Sequence, residues 1–362
     1  MYEAITYEKL VSEMLDTALA QTSTRLDTRE GSMLWYGVAP AAVEIQNLYI
    51  QLDWILDQSF ADTAARTYLI RRAAERGLSP YPATPSVIRA EFTPADLEVA
   101  LGSRFSMGLL NFIVTEKESA GIYQLTCETP GSGGNLLGEA LLPIEYIPGL
   151  KTAKATELLI PGDDEEETEH FRARYIASLR SQSYGGNIAQ YKEWVETIDG
   201  TGGCKVYPIW NGGGTVKIVV IDSTWKSPSP ELIELVQTTL DPIPNHGEGI
   251  GLAPIGHTVT VEGVADRTVN ISVLLTFAEG YEWESVREQA ETAVDEYFNE
   301  LAKEWADSEL PLIVRISQIE VRLLGIPGII DISGTTINDA ETNLQLGADE
   351  IPVRGTINAA ID

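Results

Sequence analysis

The stretch from Ile147 to Trp194 constrains the fold most, because the pattern of apolar residues differs on its two sides. Before it the chain is first helical and then rich in short strands, and after it strands and helices alternate. Within it, Pro-Gly turns lead into the acidic run Asp163–Glu169 and then into a helical pattern. The predicted fold class is therefore α+β and multidomain: N-terminal helices, a small β domain, and then two α+β modules.

The acidic run predicts the start of a helix. Carboxylates after a Pro-Gly turn can accept hydrogen bonds from the unpaired N–H groups of a helix N-terminus and interact favourably with its dipole. In that helix Phe171 and Tyr175 share one stripe, and the arginines lie away from it. The run is either an acidic docking surface or cation site, or an ordinary solvated helix start. The candidate interface residues here are Asp163, Asp164, Glu165, Glu166, Arg172 and Arg174.

The charge balance narrows the classes of partner. There are 54 acidic and 25 basic residues among 362, so the formal net charge is −29. Such a chain repels phosphate, which argues against direct nucleic-acid binding and favours basic or apolar partners. No uninterrupted apolar run approaches the roughly 18 residues that a membrane span requires, and the N-terminus lacks a signal core. We expect no membrane partner and synthesis in the cytoplasm without an export signal.

Four regions follow from changes in pattern and from the proline-rich linker at residues 81–85. The predicted domains are an N-terminal helical region at 1–80, a β-rich domain at 81–160, a first α+β module at 161–264, and a C-terminal α+β module at 265–362. In the β-rich domain the predicted strands are Val87–Phe92, Leu97–Leu101, Phe112–Thr115 and Ile122–Cys127. The glycine cluster at 130–138 is interpreted as tight turns, since no phosphate-binding frame surrounds it.

The N-terminal helices carry more apolar surface than a small isolated bundle needs. One helix is predicted from Tyr7 to Ala20, and a longer one, which Ser32 can cap, continues to about residue 60. On the longer helix Leu48 and Leu52 share one apolar stripe with Val43, Ile55 and Leu56, and Trp54 lies off it. Leu48, Leu52 and Trp54 are the apolar candidates for an assembly interface. The helices either receive a partner helix or lie on the next domain of the same chain.

Nothing in the pattern predicts catalysis. The three histidines, His170, His246 and His257, stand in different contexts, and none belongs to a zinc-protease motif. Glu166 and His170 could share a helix face and hold a metal weakly, although a helix surface pair explains the same spacing. Cys127 and Cys204 are too few for a disulfide framework and are expected to be buried thiols. We predict no enzyme activity, no cofactor and no metal.

Several turns and loops together resemble the baseplate J-like family, which forms wedges of the baseplate in contractile phage tails, prophage tails and tail-like bacteriocins. The similar segments stand in the family's order over about 300 residues, and the resemblance is to the branch in prophages of Gram-positive bacteria. They are Ile147-Pro148-Gly149, Pro161–Glu166 with Phe171–Arg174, the loop Gly249–His257, and Arg315–Glu320.

The resemblance implies a structural role. Wedge proteins of this family are expected in six-fold arrangements around a central hub, with their N-terminal helices in a bundle with another wedge protein and later domains linking neighbours into a ring. The implied partners are a second copy of the chain, other wedge proteins, and hub or spike and sheath proteins. The implied location is the baseplate of a tail or tail-like particle assembled in the bacterial cytoplasm and released by lysis. The alternatives are a tail-associated cell-wall hydrolase and a host-surface binding module.

Overall fold

The computed structural model describes residues 2–180 and 184–361. The chain divides into two compact units. Unit 1 comprises Met1–Pro80 together with Glu166–Arg180, and unit 2 comprises Tyr81–Glu165 together with Ser181–Asp362. The described elements are eight helices and several sheets, with the N-terminal helices followed by β-rich modules. The predicted α+β class is therefore confirmed, and the four domain boundaries stay predictions.

Unit 1 is helical. Its helices are α1 (Tyr7–Ala20), α2 (Met33–Ser59), α3 (Arg66–Ala74) and α4 (Thr168–Arg180). The first two begin at hydroxyl caps, since Thr6 accepts a hydrogen bond from the backbone N–H of Lys9 and Ser32 accepts one from that of Trp35. The bounds of α1 and the cap at Ser32 are as predicted.

Two small cores hold unit 1 together. Where α1 packs on α2, Leu10 and Val11 meet Ala42. Where α3 packs on α4, Leu69 and Phe171 are fully buried in one cluster with Tyr175. Helix α4 therefore contributes its aromatic residues to the core of the N-terminal helices, although about ninety residues of chain separate it from α3. The module predicted at 161–264 includes this helix.

Unit 2 begins with a six-stranded antiparallel sheet of order β5-β2-β3-β4-β1-β6. The strands are β1 (Val87–Thr93), β2 (Arg104–Met107), β3 (Leu110–Ser119), β4 (Ile122–Cys127), β5 (Leu142–Pro143) and β6 (Thr152–Ile160). The strand predicted at Leu97–Leu101 is wrong. This segment is irregular, and the hydroxyl of Tyr123 accepts a hydrogen bond from its Val99 N–H. The glycine cluster forms a tight 3₁₀ turn at Ser132–Gly134, as predicted.

The central module of unit 2 is a three-stranded sheet of order β7-β8-β9. Its elements are α5 (Ile188–Glu196), β7 (Thr201–Pro208), β8 (Thr215–Asp222), α6 (Pro230–Leu240) and β9 (Thr258–Gly263). Strands β7 and β8 form an antiparallel hairpin, and α6 crosses from β8 to the parallel strand β9. Alternate residues of β8 point into two cores, because Ile218 and Val220 pack with the helices of this module and Ile221 packs with the C-terminal module.

The C-terminal module pairs a three-stranded sheet of order β12-β10-β14 with two helices. Its elements are β10 (Ala265–Phe277), α7 (Trp283–Glu304), β11 (Ile313–Val314), α8 (Ile316–Leu324), β12 (Ile329–Ile337), β13 (Leu344–Gln345) and β14 (Glu350–Ile361). Trp305 is fully buried just after α7 and donates a hydrogen bond from its indole N–H to the carbonyl of Ala348, 3.0 Å away. Because Val219 and Ile221 of β8 belong to the same core, the central module contributes side chains to the interior of the C-terminal module.

Candidate assembly interface

Helix α2 carries a heptad pattern. Seven of its apolar residues follow one another at alternating spacings of four and three, the spacing of a coiled-coil seam. They are Leu34, Val38, Ala41, Ile45, Leu48, Leu52 and Ile55. Helix α1 contributes to the core in which Val38 and Ile45 pack. Further along the seam, Leu48 is 57% exposed, Leu52 45% and Ile55 50%. The C-terminal half of the seam is thus apolar and open.

A second exposed row runs along α2. Tyr36, Val43 and Ile50 recur at every seventh residue and all three are exposed. Because Val43 and Leu48 are five residues apart on a helix of 3.6 residues per turn, they lie on different faces. The single stripe predicted from the sequence is therefore two rows.

Trp54 has a role inside unit 1 as well as an exposed edge. Its ring is half exposed and meets the ring of Tyr68 edge to face, with the ring centroids 5.4 Å apart. A substitution at Trp54 therefore disturbs the contact between α2 and α3. Substitutions at Leu48 and Leu52 therefore test binding to a partner more directly.

The aspartates of the acidic run do not cap α4. The helix begins at Thr168, and residues 161–167 precede it as irregular chain. The carboxylate of Asp164 instead accepts hydrogen bonds from the backbone N–H and the hydroxyl of Ser132, at 2.9 and 2.7 Å. These bonds hold the pKa of Asp164 below its ordinary value. The capping prediction is wrong because the turn at Ser132 supplies nearer donors.

Asp163 lies in a different environment from its neighbour. Its backbone N–H donates to the hydroxyl of Thr84 at 3.0 Å, and its side chain is partly buried. Burial raises the pKa of the Asp163 carboxyl, because a charged carboxylate loses hydration there. Asp164 and Glu165 are exposed. These three residues belong to unit 2.

Glu166 is the centre of a charged cluster inside unit 1. Its side chain is 3% exposed and accepts hydrogen bonds from Nε and Nη2 of Arg174, at 2.9 and 2.6 Å. The imidazole Nδ1 of His170 lies 2.8 Å from the same carboxylate. Arg174 also donates to the carbonyl of Ser79 at 2.7 Å. A bidentate pair of this kind fixes geometry as well as charge, so the cluster anchors α4 within unit 1.

Arg172 makes a similar set of contacts. It donates to the backbone carbonyls of Ala61 and of Ala64, the latter at 2.9 Å, and to the carboxylate of Glu169 at 3.0 Å. The side chains of Arg172 and Arg174 are 13% and 15% exposed. The charged side of this helix is therefore largely buried at these two arginines. The structure brings Glu166 and Arg174 together, and it accounts for them and for Arg172 by contacts within unit 1.

The histidines and cysteines have ordinary structural partners. His246 Nδ1 lies 2.8 Å from the buried carboxylate of Asp241, and His257 Nδ1 lies 2.8 Å from the hydroxyl of Tyr191. Both cysteines are buried, as predicted, and burial raises the pKa of the Cys204 thiol to about 12. Over residues 2–180 and 184–361, no group of three metal-ligating side chains is positioned to hold an ion. None of the described helices is long and apolar enough to span a membrane.

Comparison with known proteins decides the family. The phage-like element PBSX protein XkdT of Bacillus subtilis (strain 168) is 40% identical over 99% of this chain and 98% of its own. Residues 183–263 match the Baseplate J-like central domain, and residues 269–360 match the Baseplate J-like protein C-terminal domain. The chain belongs to the baseplate J-like family. YqbT, an uncharacterized protein of the same strain, is 39% identical over 99% of this chain and 98% of its own.

A solved structure also covers most of the chain. It is the cryo-EM structure of the anti-feeding prophage (AFP) baseplate, which matches 95% of this chain and 89% of its own at a TM-score of 0.42 and 8% identity. At this TM-score and identity the likeness supports no conclusion about this baseplate J-like protein. Family membership itself makes the chain a structural component of a phage-tail baseplate.

Proposed function

We propose that this baseplate J-like protein is a wedge component that enters a helical bundle through α2 and links wedges into a ring around the central hub. The observation that carries this proposal is the open half of the heptad seam. Leu48, Leu52 and Ile55 are each about half exposed, although they continue a pattern that is already packed at Val38 and Ile45. A seam of this kind is completed by another helix.

The charge and the apolar rows of α2 indicate which residues a partner helix would present. The helix contains Glu44, Asp53 and Asp57 and neither lysine nor arginine. A partner that presents aliphatic residues at heptad spacing, with basic residues beside them, complements both its apolar rows and its charge. Burying three half-exposed aliphatic side chains contributes roughly 3 kcal/mol in total at about 25 cal/mol per Å². The second row, at Tyr36, Val43 and Ile50, offers room for a further helix.

The setting we propose is the baseplate of a contractile tail or tail-like bacteriocin, assembled in the bacterial cytoplasm and released by lysis. The proposed partners are a second copy of the chain, other wedge proteins, and hub or spike and sheath proteins. The isolated chain is then a monomer or small oligomer and becomes part of a ring only with those partners. Family membership supports a non-catalytic role, and a peptidoglycan zymogram tests it, since a cleared band would support the hydrolase alternative.

The test is co-purification of the chain with co-expressed wedge proteins, measured by light scattering after gel filtration. The variant Leu48→Ser/Leu52→Ser should lose the complex, because serine removes apolar area without adding bulk. Gln51→Ser is the matched control, since it lies on the same helix and is exposed and polar. Adding Trp54→Ser should block assembly further while the melting of unit 2 stays unchanged. A complex that survives these changes, or fails to form with the unaltered chain, contradicts the proposal.

A further inference from the structure

The loop between β7 and β8 contains an asparagine that is followed directly by glycine. Its sequence is Trp210-Asn211-Gly212-Gly213-Gly214. Every other asparagine of the chain precedes a residue that has a side chain. Because glycine has no Cβ, its backbone nitrogen is the least hindered one that a preceding asparagine side chain can reach. The Asn211 side chain therefore has an unhindered nucleophile next to it in the chain.

This loop is closed tightly at its base and open at its tip. The N–H of Ile209 donates to the carbonyl of Thr215 at 2.8 Å, and Ile209 has a φ of +59°, in the left-handed region that a β-branched residue rarely adopts. The N–H of Asn211 donates to the hydroxyl of Thr215 at 3.0 Å. Residues 208–214 are all exposed. Water and hydroxide can therefore reach the side chain of Asn211 and the backbone that follows it.

Neither of the two adjacent groups is held firmly elsewhere. The backbone nitrogen of Gly212 lies 3.4 Å from the carbonyl oxygen of Ile209, whereas a good N–H···O bond measures about 2.9–3.0 Å. Over residues 2–180 and 184–361, no group makes a hydrogen bond to the side-chain amide of Asn211. By contrast, the side-chain amide of Asn135 accepts from the N–H of Gly162 at 2.7 Å and donates to the carbonyl of the same residue at 3.0 Å. A Cβ added at Gly212 would meet no atom within 4 Å, so the Asn211 side chain has room to turn toward the Gly212 nitrogen.

We propose that Asn211 is a site of spontaneous covalent modification, at which its side chain closes onto the Gly212 nitrogen and then opens to aspartate or isoaspartate. Hydroxide removes the Gly212 N–H proton, and the nitrogen lone pair attacks Cγ of Asn211. The N–Cγ bond forms, the Cγ–Nδ2 bond breaks, and the amide nitrogen leaves as ammonia with a proton from water. Water then adds to one of the two carbonyls of the five-membered ring and reopens it. Two groups that are adjacent in one chain react without the entropic cost of meeting, so the reaction needs no enzyme.

Both products change the loop. Each adds one negative charge at residue 211, and the isoaspartate product also routes the main chain through Cγ, which adds one carbon to the backbone of the loop. The N–H of Thr215 donates to the carbonyl of Gly212 at 3.2 Å, and this bond has to adjust to the longer backbone. The inference goes beyond the proposed function, because the modification requires no partner and does not involve α2. A chain that cannot join wedge proteins would still be modified, so the two proposals fail separately.

The test is mass spectrometry of the full-length chain after incubation at neutral and at mildly alkaline pH. Trypsin cleaves after Lys205 and Lys217, which places Asn211 in a peptide of residues 206–217 that contains no other asparagine. This peptide should gain the mass that accompanies replacement of NH2 by OH and should separate into two products of equal mass. Its conversion should be faster at the higher pH, because the attacking nitrogen must first lose its proton. A sample digested before incubation corrects for conversion during the digestion.

Incubation in urea and three variants separate the folded loop from the bare sequence. Conversion in the folded chain should lie within about tenfold of that in the urea-unfolded chain, since the loop leaves both groups free to meet. Gly212→Ala should slow conversion several-fold, because the added methyl group hinders the attacking nitrogen. Gly213→Ala is the matched control and should leave the rate unchanged, since a Cβ there also meets no atom within 4 Å. Gly212 has a φ of +98°, so a thermal melt checks that Gly212→Ala folds, and Asn211→Gln, which would have to close a larger ring, should abolish the mass gain.

Three results would overturn the inference. One is protection of Asn211 in the folded chain by more than about tenfold relative to the chain in urea. Another is equally fast conversion of Asn358, an exposed asparagine that precedes Ala359. The third is a mass gain of the peptide 206–217 that persists in Asn211→Gln.

Discussion

Arg89 offers the strongest test of how unit 2 is held together. It lies on β1, and its guanidinium donates to three carboxylates, those of Glu118 on β3, Glu157 on β6 and Glu231 on α6. The bond from Nε to Glu118 is 2.8 Å long, and the Arg89 side chain is 23% exposed. The hydrogen bond to Glu118 raises the pKa of Arg89 further above its already high value. One cation thus joins the β domain to the central module.

The informative change is Arg89→Met, which keeps an unbranched apolar stem and removes the charge. Breaking a fully buried ion pair costs about 3–5 kcal/mol, and exposed pairs contribute under about 1 kcal/mol. For a cation that is one quarter exposed, we expect a loss of about 2 kcal/mol in the free energy of unfolding of unit 2. Much of this loss is repulsion between the remaining carboxylates, so the double variant Arg89→Met/Glu231→Gln should recover about 1 kcal/mol.

The assay is urea unfolding followed by tryptophan fluorescence, at low salt and at about 1 M salt, where screening should reduce the loss. Arg104→Met is the matched control, because Arg104 pairs with Glu128 and is 47% exposed. It should cost clearly less than Arg89→Met, because ion pairs exposed to solvent contribute little to stability. If Arg89→Met costs no more than this control, or if Glu231→Gln does not relieve it, the cluster contributes no net stability and the reasoning is refuted.

The remaining predictions concern unit 2. Asp164→Asn should lower the melting temperature at neutral pH, because the depressed pKa of Asp164 stabilises the fold above the ordinary value and that gain is lost as pH falls through the folded pKa. Asp163→Asn should raise the melting temperature at neutral pH, because a raised pKa means that the charged carboxylate destabilises the fold. The difference from the unaltered chain should vanish below pH 3.8. Thermal melts in which both variants shift the melting temperature in the same direction at every pH would contradict both predictions. Trp305→Phe removes the hydrogen bond to Ala348 and leaves a void, so urea unfolding should show a loss of about 2 kcal/mol in the free energy of unfolding. A change below about 0.5 kcal/mol would mean that the core around Trp305 repacks freely.

Features set by neighbouring residues were predictable from the sequence. The extent of α1, the cap at Ser32 and the turn at Ser132–Gly134 follow from local periodicity and turn chemistry. Strand β14 was missed because Pro352 and Gly355 interrupt its alternating pattern. Its place in the sheet comes from parallel pairing with β10, which no local pattern encodes.

The candidate assembly interface also has features that the sequence can predict and features that it cannot. The heptad on α2 can be read from spacing alone, and the sequence reasoning missed it by grouping Val43 with Leu48. The burial of Glu166 and Arg174 could not be predicted, because Arg174 also donates to the carbonyl of Ser79, 95 residues earlier in the chain. The conformation of Ile209 also had no signal, since β-branched residues predict extended backbone.

The composite make-up of unit 1 limits how this family can exchange parts by recombination. A crossover at the linker after Pro80 would bring in foreign α1, α2 and α3 but leave the resident α4 in place. Phe171 and Tyr175 would then have to pack against a foreign counterpart of Leu69. Arg172 would have to donate its hydrogen bonds to the backbone carbonyls of a foreign segment. A functional transfer of partner specificity therefore has to carry Glu166–Arg180 along with the first eighty residues, as a two-part cassette.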